Sequence, residues 1–314
     1  MKLLKAVTAD ALDYLRLARE GRRPHPSVVL VTGAPRSGTT WFGAMLYHEK
    51  TLLYHEPFKA RSGLWGDGGG NAPNENDDAL RQVYTGIVEG KDWRSYHRPT
   101  AGGKMVALNF KKLHHRVSPG GHDIVIKDPC ISYYLDFFRT LGFSKIVAIY
   151  RNPLSVIASL KTLGWSTAAR LRKMKQHTHV QSHLPIHVKA YLDRLDEYSA
   201  VECMAIHTAI LHWLMSDNPG GVIEVEFEDY AEQPVQEFEA LFGTLGFDYS
   251  DRVKANHLRL TRGASGKHAK HEVARRSSEQ TEKYKRILTA AEIASCGAIY
   301  TDILGGRSRY DLRD

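Results

Sequence analysis

Short apolar runs recur along the chain, each flanked by polar residues or glycine. Four of them are rich in β-branched residues and too short for helices, which is typical of strands buried on both faces of a parallel sheet: residues 28–32, 123–128, 145–150 and 222–228. Apolar residues recur at helical spacing in the segments that lie between or after them: residues 39–49, 133–142, 153–164 and 234–246. Strands that alternate with helices predict an α/β fold with a mainly parallel sheet flanked by helices.

Two regions interrupt this alternation. Residues 61–103 are rich in glycine and asparagine, and we expect a long mobile loop there with a short helix at 78–88. Residues 165–215 have a mostly helical pattern and are rich in Lys, Arg and His. Both regions are predicted to be insertions in one core. We therefore expect an N-terminal helix at residues 1–26 and a single large domain at residues 27–314. Near the end of this domain we expect a helix at 289–303.

The 314-residue chain is basic, with 43 Lys and Arg against 35 Asp and Glu and a net charge of +8, which favours an anionic ligand. Its three cysteines are too far apart for a disulfide scaffold or a zinc site and indicate a reducing compartment, so we expect a cytoplasmic protein. Asp10 and Asp13 interrupt the apolar N-terminal pattern, which is unlike a signal peptide. No apolar run approaches the roughly 18 residues of a membrane span.

A glycine-rich loop follows the first predicted strand and precedes a helix. Its residues Gly33, Gly38 and Thr40 fit the nucleotide-binding pattern GxxxxGK[ST], but Thr39 stands where the pattern requires lysine. A strand–loop–helix turn of this kind directs backbone N–H groups at an anion, and Arg36 adds a cation within the loop. A nucleotide kinase or NTPase is the alternative function, but the missing lysine counts against binding of a triphosphate with Mg²⁺. The alternative to anion binding is that the loop is a purely structural turn.

The segment Pro35-Arg-Ser-Gly-Thr-Thr-Trp41 resembles the 5′-phosphosulfate loop of the sulfotransferases that use 3′-phosphoadenosine 5′-phosphosulfate (PAPS), whose motif is P-[KR]-S-G-T-T-[WL]. A second segment, with Arg151 at a strand end and Ser159 eight residues later on the next helix, resembles the 3′-phosphate segment of that family. The order of motifs matches over about residues 27–267. The resemblance implies a P-loop-like parallel sheet, PAPS as cofactor, adenosine 3′,5′-bisphosphate (PAP) as product and no metal requirement.

The resemblance also assigns cofactor-binding residues. The 5′ side would be held by Arg36, Ser37, Gly38, Thr39, Thr40 and Trp41, although an aromatic residue at a helix start is commonly part of the core. The 3′-phosphate would be held by Arg151 and Ser159. A looser basic loop late in the chain is a further candidate for the 3′-phosphate, with Arg262, Gly263 and Lys267.

Sulfuryl transfer requires a base for the acceptor hydroxyl. The cytosolic branch of the family uses a histidine in a K-T-H-x-P segment, and here Lys127 matches the lysine but no histidine follows it. Another branch, which includes many carbohydrate and protein-tyrosine sulfotransferases, uses a glutamate after the first helix, and the corresponding residue is Glu56. We expect Glu56 to be the base, Lys127 to neutralise the leaving group and Arg36 to stabilise the developing charge. His55 is the second candidate and should face away from Glu56 in an extended segment, and Asp128 is the third.

The resemblance does not identify the acceptor, which we expect to be a hydroxyl of a carbohydrate, a glycolipid or a small metabolite. A lipid acceptor would imply peripheral contact with a membrane, whereas no motif for nucleic acid is found. Two regions are candidates for acceptor binding: the loop at 61–103 and the basic segment 165–190. The segment contains Arg170, Arg172, Lys173, Lys175, His177, His179, His183 and His187, which would also suit a solvated face. Its histidines lack a tight pair with a carboxylate between them, so we expect no metal site. A non-enzymatic polyanion-binding protein is the third functional hypothesis.

Overall fold

The computed structural model describes residues 7–15, 27–61, 64, 73–92, 94–99, 105–108, 110–117, 121–217, 220–261 and 282–312. A seven-stranded mixed sheet forms the centre of the fold. Its strands are β1 (Val28–Gly33), β2 (Thr51–His55), β3 (Tyr96–Pro99), β4 (Met105–Leu108), β5 (Asp123–Lys127), β6 (Lys145–Tyr150) and β7 (Val222–Glu226). Their order across the sheet is β4-β3-β2-β5-β1-β6-β7. Strands β2, β5, β1, β6 and β7 run parallel, and β3 and β4 add an antiparallel margin.

The helices are α1 (residues 7–15), α2 (Thr39–Met45), α3 (Pro73–Val88), α4 (Phe110–Val117), α5 (Leu135–Arg139), α6 (Pro153–Thr162), α7 (Ala168–Gln176), α8 (Thr178–His183), α9 (Ile186–Asp193), α10 (Ala200–Ser216), α11 (Phe227–Glu232), α12 (Pro234–Leu245), α13 (Asp251–Thr261) and α14 (Ala290–Leu304). The last of these confirms the helix expected near 289–303. Thr289 begins it with a capping box completed by Glu292, which satisfies two backbone donors at the helix start.

Both faces of the central strands are apolar, which explains why they appear in the sequence as continuous hydrophobic runs. All six residues of β1 are buried. Leu30 belongs to a large core that also contains the buried faces of α6, α10 and α14. Val29 and Val31, on the opposite face, belong to a second core with α2, α11 and α12. Helices therefore cover both sides of the sheet, as the sequence pattern predicts.

Three sequence-based predictions are corrected here. The described part of residues 61–103 contains more regular structure than the expected loop with a short helix at 78–88, since helix α3 begins at Pro73 and β3 pairs with β2 and β4. The strand predicted over 222–228 ends at Glu226, where α11 begins. The helix predicted over 133–142 spans only Leu135–Arg139.

The acidic residues of α1 face the protein rather than the solvent. Asp10 and Asp13 are buried, and the Tyr96 hydroxyl on β3 donates to Asp10. Arg98, also on β3, donates to Asp13 Oδ2 at 2.7 Å. The residues that interrupt the apolar pattern are thus the ones that attach the helix to the sheet. Among the described residues, no helix combines the length and the apolar character that a membrane crossing requires.

Candidate active site

The candidate residues meet at one edge of the sheet because parallel strands present their carboxyl ends together. The glycine-rich loop follows β1, Glu56 follows β2, Lys127 ends β5 and Arg151 follows β6. Strand β1 lies between β5 and β6, and β2 lies on the far side of β5. Residues from four separated parts of the sequence therefore surround the end of β1.

Close packing fixes the shape of the glycine-rich loop. A Cβ atom on Gly33 would lie 2.5 Å from the carbonyl oxygen of Ile149, so only glycine fits there. Gly38 has a φ of 98°, and a Cβ on it would lie 2.6 Å from the Phe227 ring. Arg36 also has a positive φ, of 76°, which is uncommon for a residue with a side chain. These constraints hold the loop in one conformation.

The loop presents several polar groups that the protein itself does not satisfy. The backbone amides of Gly38, Thr39 and Thr40 have no acceptor among the described residues, as is usual for the first turn of a helix. The Ser37 hydroxyl is buried and also lacks a partner within the part of the chain that the structure describes. Unsatisfied donors gathered around a tight loop suit an anion such as a phosphate.

The residues expected for the two phosphates of PAP are in direct contact. Arg36 Nε donates to Ser159 Oγ at 3.0 Å, and an Arg151 guanidinium nitrogen donates to the Arg36 carbonyl at 3.0 Å. The Arg151 guanidinium also lies 4.5 Å from the centre of the Phe227 ring, a cation–π contact. The 5′ loop and the 3′ segment therefore form one basic site.

Two aromatic residues at this site are not predicted from the sequence. Phe227 packs against both Gly38 and Arg151. The sequence pattern places Phe227 in a strand, and its position at the start of α11 follows only from where β7 ends. Trp165 lies 6.0 Å from the Arg36 guanidinium and 5.5 Å from that of Arg170. Its position after the helix that carries Ser159 was the only available signal.

Trp41 lies in the core beside this site. Its ring packs edge-on against Phe227 and Phe238 at centroid distances of 5.4 and 5.5 Å, and the side chain is buried. These contacts agree with the alternative interpretation that an aromatic residue at a helix start belongs to the core. A contact of Trp41 with the cofactor stays a prediction.

Glu56 and Lys127 form the polar centre at the other side of the loop. Lys127 Nζ donates to Glu56 Oε1 at 2.6 Å, and the side chain of Lys127 is 3% exposed against 23% for Glu56. Burial disfavours the carboxylate, but the charge and hydrogen bond of Lys127, with smaller contributions from His55 and Lys59, hold the pKa of Glu56 below its usual value. Glu56 is therefore ionised at neutral pH.

His55 belongs to the same cluster, and the expectation that it faces away is wrong. Its Nε2 lies 3.4 Å from Lys127 Nζ, and its Nδ1 lies 3.9 Å from Glu56 Oε1. Glu56 has a φ of 53°, so the alternation of an extended strand stops at His55 and the two side chains turn to the same side.

Asp128, the third candidate base, has a different role. It is fully buried, and its carboxylate accepts hydrogen bonds from the backbone of Phe58 at 2.8 Å and of Cys130 at 2.9 Å. Burial raises the pKa of Asp128 to about 6, although both hydrogen bonds favour the charged form. Asp128 therefore holds the turn that follows Glu56 instead of facing the site.

In the basic segment 165–190, some side chains face the solvent and others lie near the candidate site. Arg172 and Lys175 form exposed ion pairs with Asp196 and Asp193. Arg170 instead contacts Trp165 at the glycine-rich loop. The late basic loop with Arg262, Gly263 and Lys267 lies outside the described residues.

Comparison with known proteins gives a family and several similar structures. The sulfotransferase family model matches residues 26–251. Similar solved structures include the sulfotransferase domain of the olefin synthase of Synechococcus, with 16% identity, coverage of 89% of this chain and 96% of that chain, and a TM-score of 0.43. A mouse sulfotransferase, SULT7A1 complexed with PAP, has 13% identity, coverage of 95% and 90%, and a TM-score of 0.42.

A sulfotransferase from Alicyclobacillus acidocaldarius has 13% identity, coverage of 93% of this chain and 98% of that chain, and a TM-score of 0.43. The curated proteins contain no match to this chain. Because the family model spans well over half of the 314 residues, the chain belongs to the sulfotransferase family.

Proposed function

We propose that this protein transfers the sulfuryl group of PAPS to an acceptor hydroxyl, with Glu56 as general base. The observation that carries the proposal is the Glu56–Lys127 pair beside the glycine-rich loop, where a Cβ atom added to Gly43 of α2 would lie 3.4 Å from Lys127 Cβ. A carboxylate, a lysine and an anion-binding loop at one sheet edge are the groups that in-line transfer to a hydroxyl requires.

The residues of the site fit PAPS in both charge and hydrogen bonding. The amides of Gly38, Thr39 and Thr40 and the buried Ser37 hydroxyl would hold the 5′ side, and Arg151 and Ser159 would hold the 3′-phosphate. When bound, PAPS would supply the sulfuryl group, which passes to the acceptor oxygen as PAP leaves. Arg36 and Lys127 provide positive charge at the loop, so we propose that no metal ion is required.

Lys127 controls how basic Glu56 is. In this structure the ammonium group faces the carboxylate and lowers its pKa. An anion at the loop would draw the ammonium group toward itself. Glu56 would then keep the burial that raises its pKa while losing the contact that lowers it, and would become a stronger base. The proton of the acceptor hydroxyl would move to Glu56.

The acceptor belongs to the hydroxyl compounds, and we propose a carbohydrate, a glycolipid or a small metabolite. Trp165 and Arg170 support an acceptor that combines a planar or sugar face with negative charge, because the Trp165 ring lies 6.0 Å from the guanidinium of Arg36 in the loop and 5.5 Å from that of Arg170.

Binding and transfer measured on the full chain test this function. Calorimetry with PAP in the presence of a chelator should show binding, and labelled PAPS should transfer its sulfate to one class in a panel of sugars, phenols, steroids and lipids. Failure to bind PAP would overturn the proposal. Mg²⁺-dependent hydrolysis of ATP would favour the kinase or NTPase hypothesis, and salt-sensitive polyanion binding without PAP binding would favour the third.

A further inference from the structure

A second polar cluster lies between α5 and α8, apart from the groups that act in sulfuryl transfer. It consists of Asp136 in the first turn of α5 and of His179 and His183, which are one helical turn apart on α8. One ligand atom from each of the three residues lies within 4.8 Å of the other two. The cluster explains part of the histidine-rich segment that the proposed function leaves unused.

The hydrogen bonds of His183 leave one ring nitrogen available. Its Nδ1 lies 2.9 Å from the His179 carbonyl oxygen, which can only accept, so Nδ1 carries the proton of the neutral ring. The Ser182 hydroxyl donates to the same carbonyl at 2.8 Å and lies 3.0 Å from His183 Nδ1. The lone pair of a neutral His183 is therefore on Nε2.

The ring of His179 is also held by a backbone contact, a hydrogen bond with Tyr133. Its Nε2 faces Asp136 Oδ1 at a distance of 3.5 Å. The Tyr134 ring packs edge-on against His179 with centroids 4.3 Å apart, and the Tyr134 hydroxyl donates to Asp77 Oδ1 at 2.9 Å. Histidine ligands in proteins are usually fixed by a backbone or carboxylate contact at one nitrogen while the other nitrogen binds the metal.

We propose that Asp136, His179 and His183 bind a divalent cation of the zinc class. Two imidazole nitrogens and one carboxylate oxygen match the donors that Zn²⁺ prefers, with a fourth position for water. No carboxylate lies between the two histidines along α8, which is why the sequence alone predicts no metal site. The third donor comes instead from α5, which the fold places opposite α8.

A bound ion would join two elements near the active site. Helix α5 follows the segment that starts at Lys127 and continues through Tyr133 and Tyr134, and α8 belongs to the basic helical region. The cation would therefore fasten that region to the end of β5. This role is structural and requires no part in sulfuryl transfer, so the inference does not depend on the proposed function.

Zinc titration of the untagged, chelator-treated full chain tests the site. Calorimetry with ZnCl₂ should give one site, and Co²⁺ should give the intense visible absorption of a low-coordinate nitrogen–oxygen site. Asp136→Asn, His179→Gln and His183→Gln should each weaken Zn²⁺ binding by about tenfold or more. At equal Zn²⁺ concentration, the melting temperature should rise more for the wild-type chain than for these variants.

The control is His187→Gln, which removes a histidine of the same segment whose ring contacts the Ile303 carbonyl. This variant should bind Zn²⁺ as tightly as the wild type. Asp136 is 48% exposed, so Asp136→Asn should fold even if a histidine variant does not. No Zn²⁺ binding by the wild type, or equal binding by Asp136→Asn and the wild type, would overturn the proposal.

Discussion

Lys127 and Glu56 are joined by two hydrogen bonds, one between side chains and one between backbones. Lys127 Nζ donates to Glu56 Oε1 at 2.6 Å, and the Glu56 amide donates to the Lys127 carbonyl at 2.7 Å. The backbone bond extends the pairing of β2 with β5 by one residue, so the sheet itself sets the distance between the two side chains. A carboxylate held this way is charged and positioned before any acceptor arrives.

Replacing Glu56 with Gln should lower turnover sharply and leave cofactor binding intact. The amide oxygen can still accept from Lys127, but it cannot take a proton, so we expect sulfate transfer to fall by about 10²- to 10⁴-fold. Affinity for PAP should change little, because the residues proposed to hold PAP lie on the loop, at Arg151 and at Ser159. Transfer from labelled PAPS and calorimetry with PAP measure the two quantities separately.

The matched control is Glu89→Gln, which removes an exposed carboxylate that pairs with Lys91 at the end of α3. It should retain full activity. If Glu56→Gln transferred sulfate at the wild-type rate, Glu56 would not be the base and His55, which lies in the same cluster, would become the leading candidate.

Replacing Arg151 with Ala should remove the preference for a 3′-phosphate. A charge-assisted hydrogen bond contributes about 1.5–3 kcal/mol, so affinity for PAP should fall by about 10- to 100-fold while affinity for adenosine 5′-monophosphate changes less. The ratio of the two affinities is the informative quantity, because Arg151 also donates to the Arg36 carbonyl and its loss would disturb the loop for both ligands.

Arg194→Ala supplies the control for this prediction, since Arg194 pairs with Glu197 on an exposed surface. Its ratio should equal that of the wild type. An unchanged ratio in Arg151→Ala would mean that the 3′-phosphate is held elsewhere, for instance by the late loop with Arg262 and Lys267.

Replacing Gly38 with Ala should destabilise the protein more than the same change at Gly164. Both glycines have a positive φ, 98° and 63°, and a side chain there costs about 1–2 kcal/mol. Only Gly38 faces a neighbour, because its Cβ would lie 2.6 Å from the Phe227 ring, whereas Gly164 has nothing within 4 Å. Urea unfolding of the two variants separates the steric clash from the backbone strain.

A second variant ties the difference to Phe227. Phe227→Leu combined with Gly38→Ala should recover part of the lost stability if the clash is its source. Equal unfolding free energies for Gly38→Ala and Gly164→Ala would show that the Phe227 contact places no constraint on the loop.

The glycine-rich loop could be predicted from the sequence because its residues are contiguous and each residue type has a local reason. Gly33 and Gly38 lie where a Cβ atom would clash with neighbouring residues, and Arg36 and Ser37 lie between them in the sequence. The central strands could be predicted for a similar reason, since burial on both faces leaves a continuous apolar run.

The margin of the sheet and the Glu56–Lys127 pair could not be predicted in the same way. Strand β3 contains His97 and Arg98, so its sequence lacks the apolar run of a buried strand. Its polar residues are explained by the buried acids of α1, which pair with side chains of β3. The contact of Glu56 with Lys127 depends on pairing between distant strands, and the orientation of His55 depends on a positive φ at a residue that is not glycine.

Titration of Asp128 should lower the free energy of unfolding as the pH rises from about 4 to about 6. Its pKa in the folded chain is about 6, against a model-peptide value of 3.8, because burial penalises the charged form. The folded state therefore holds a proton that the unfolded state has released between these values. The stabilisation is complete below pH 3.8 and is lost as the pH rises through about 6.

The variant Asp128→Asn isolates this effect, because the amide cannot titrate. Asn retains one oxygen for the backbone N–H of Phe58 or Cys130 and loses the other bond, which costs about 1–3 kcal/mol at every pH. The difference between the folded and unfolded pKa values of Asp128 corresponds to about 3 kcal/mol. The unfolding free energy of the wild type relative to the variant should therefore fall by about that amount as the pH rises from about 4 to about 6. Urea unfolding at a series of pH values measures it, with Asp196→Asn as the exposed comparison. Parallel pH profiles for wild type and Asp128→Asn would mean that Asp128 is charged in the folded chain throughout, with its two backbone donors outweighing its burial.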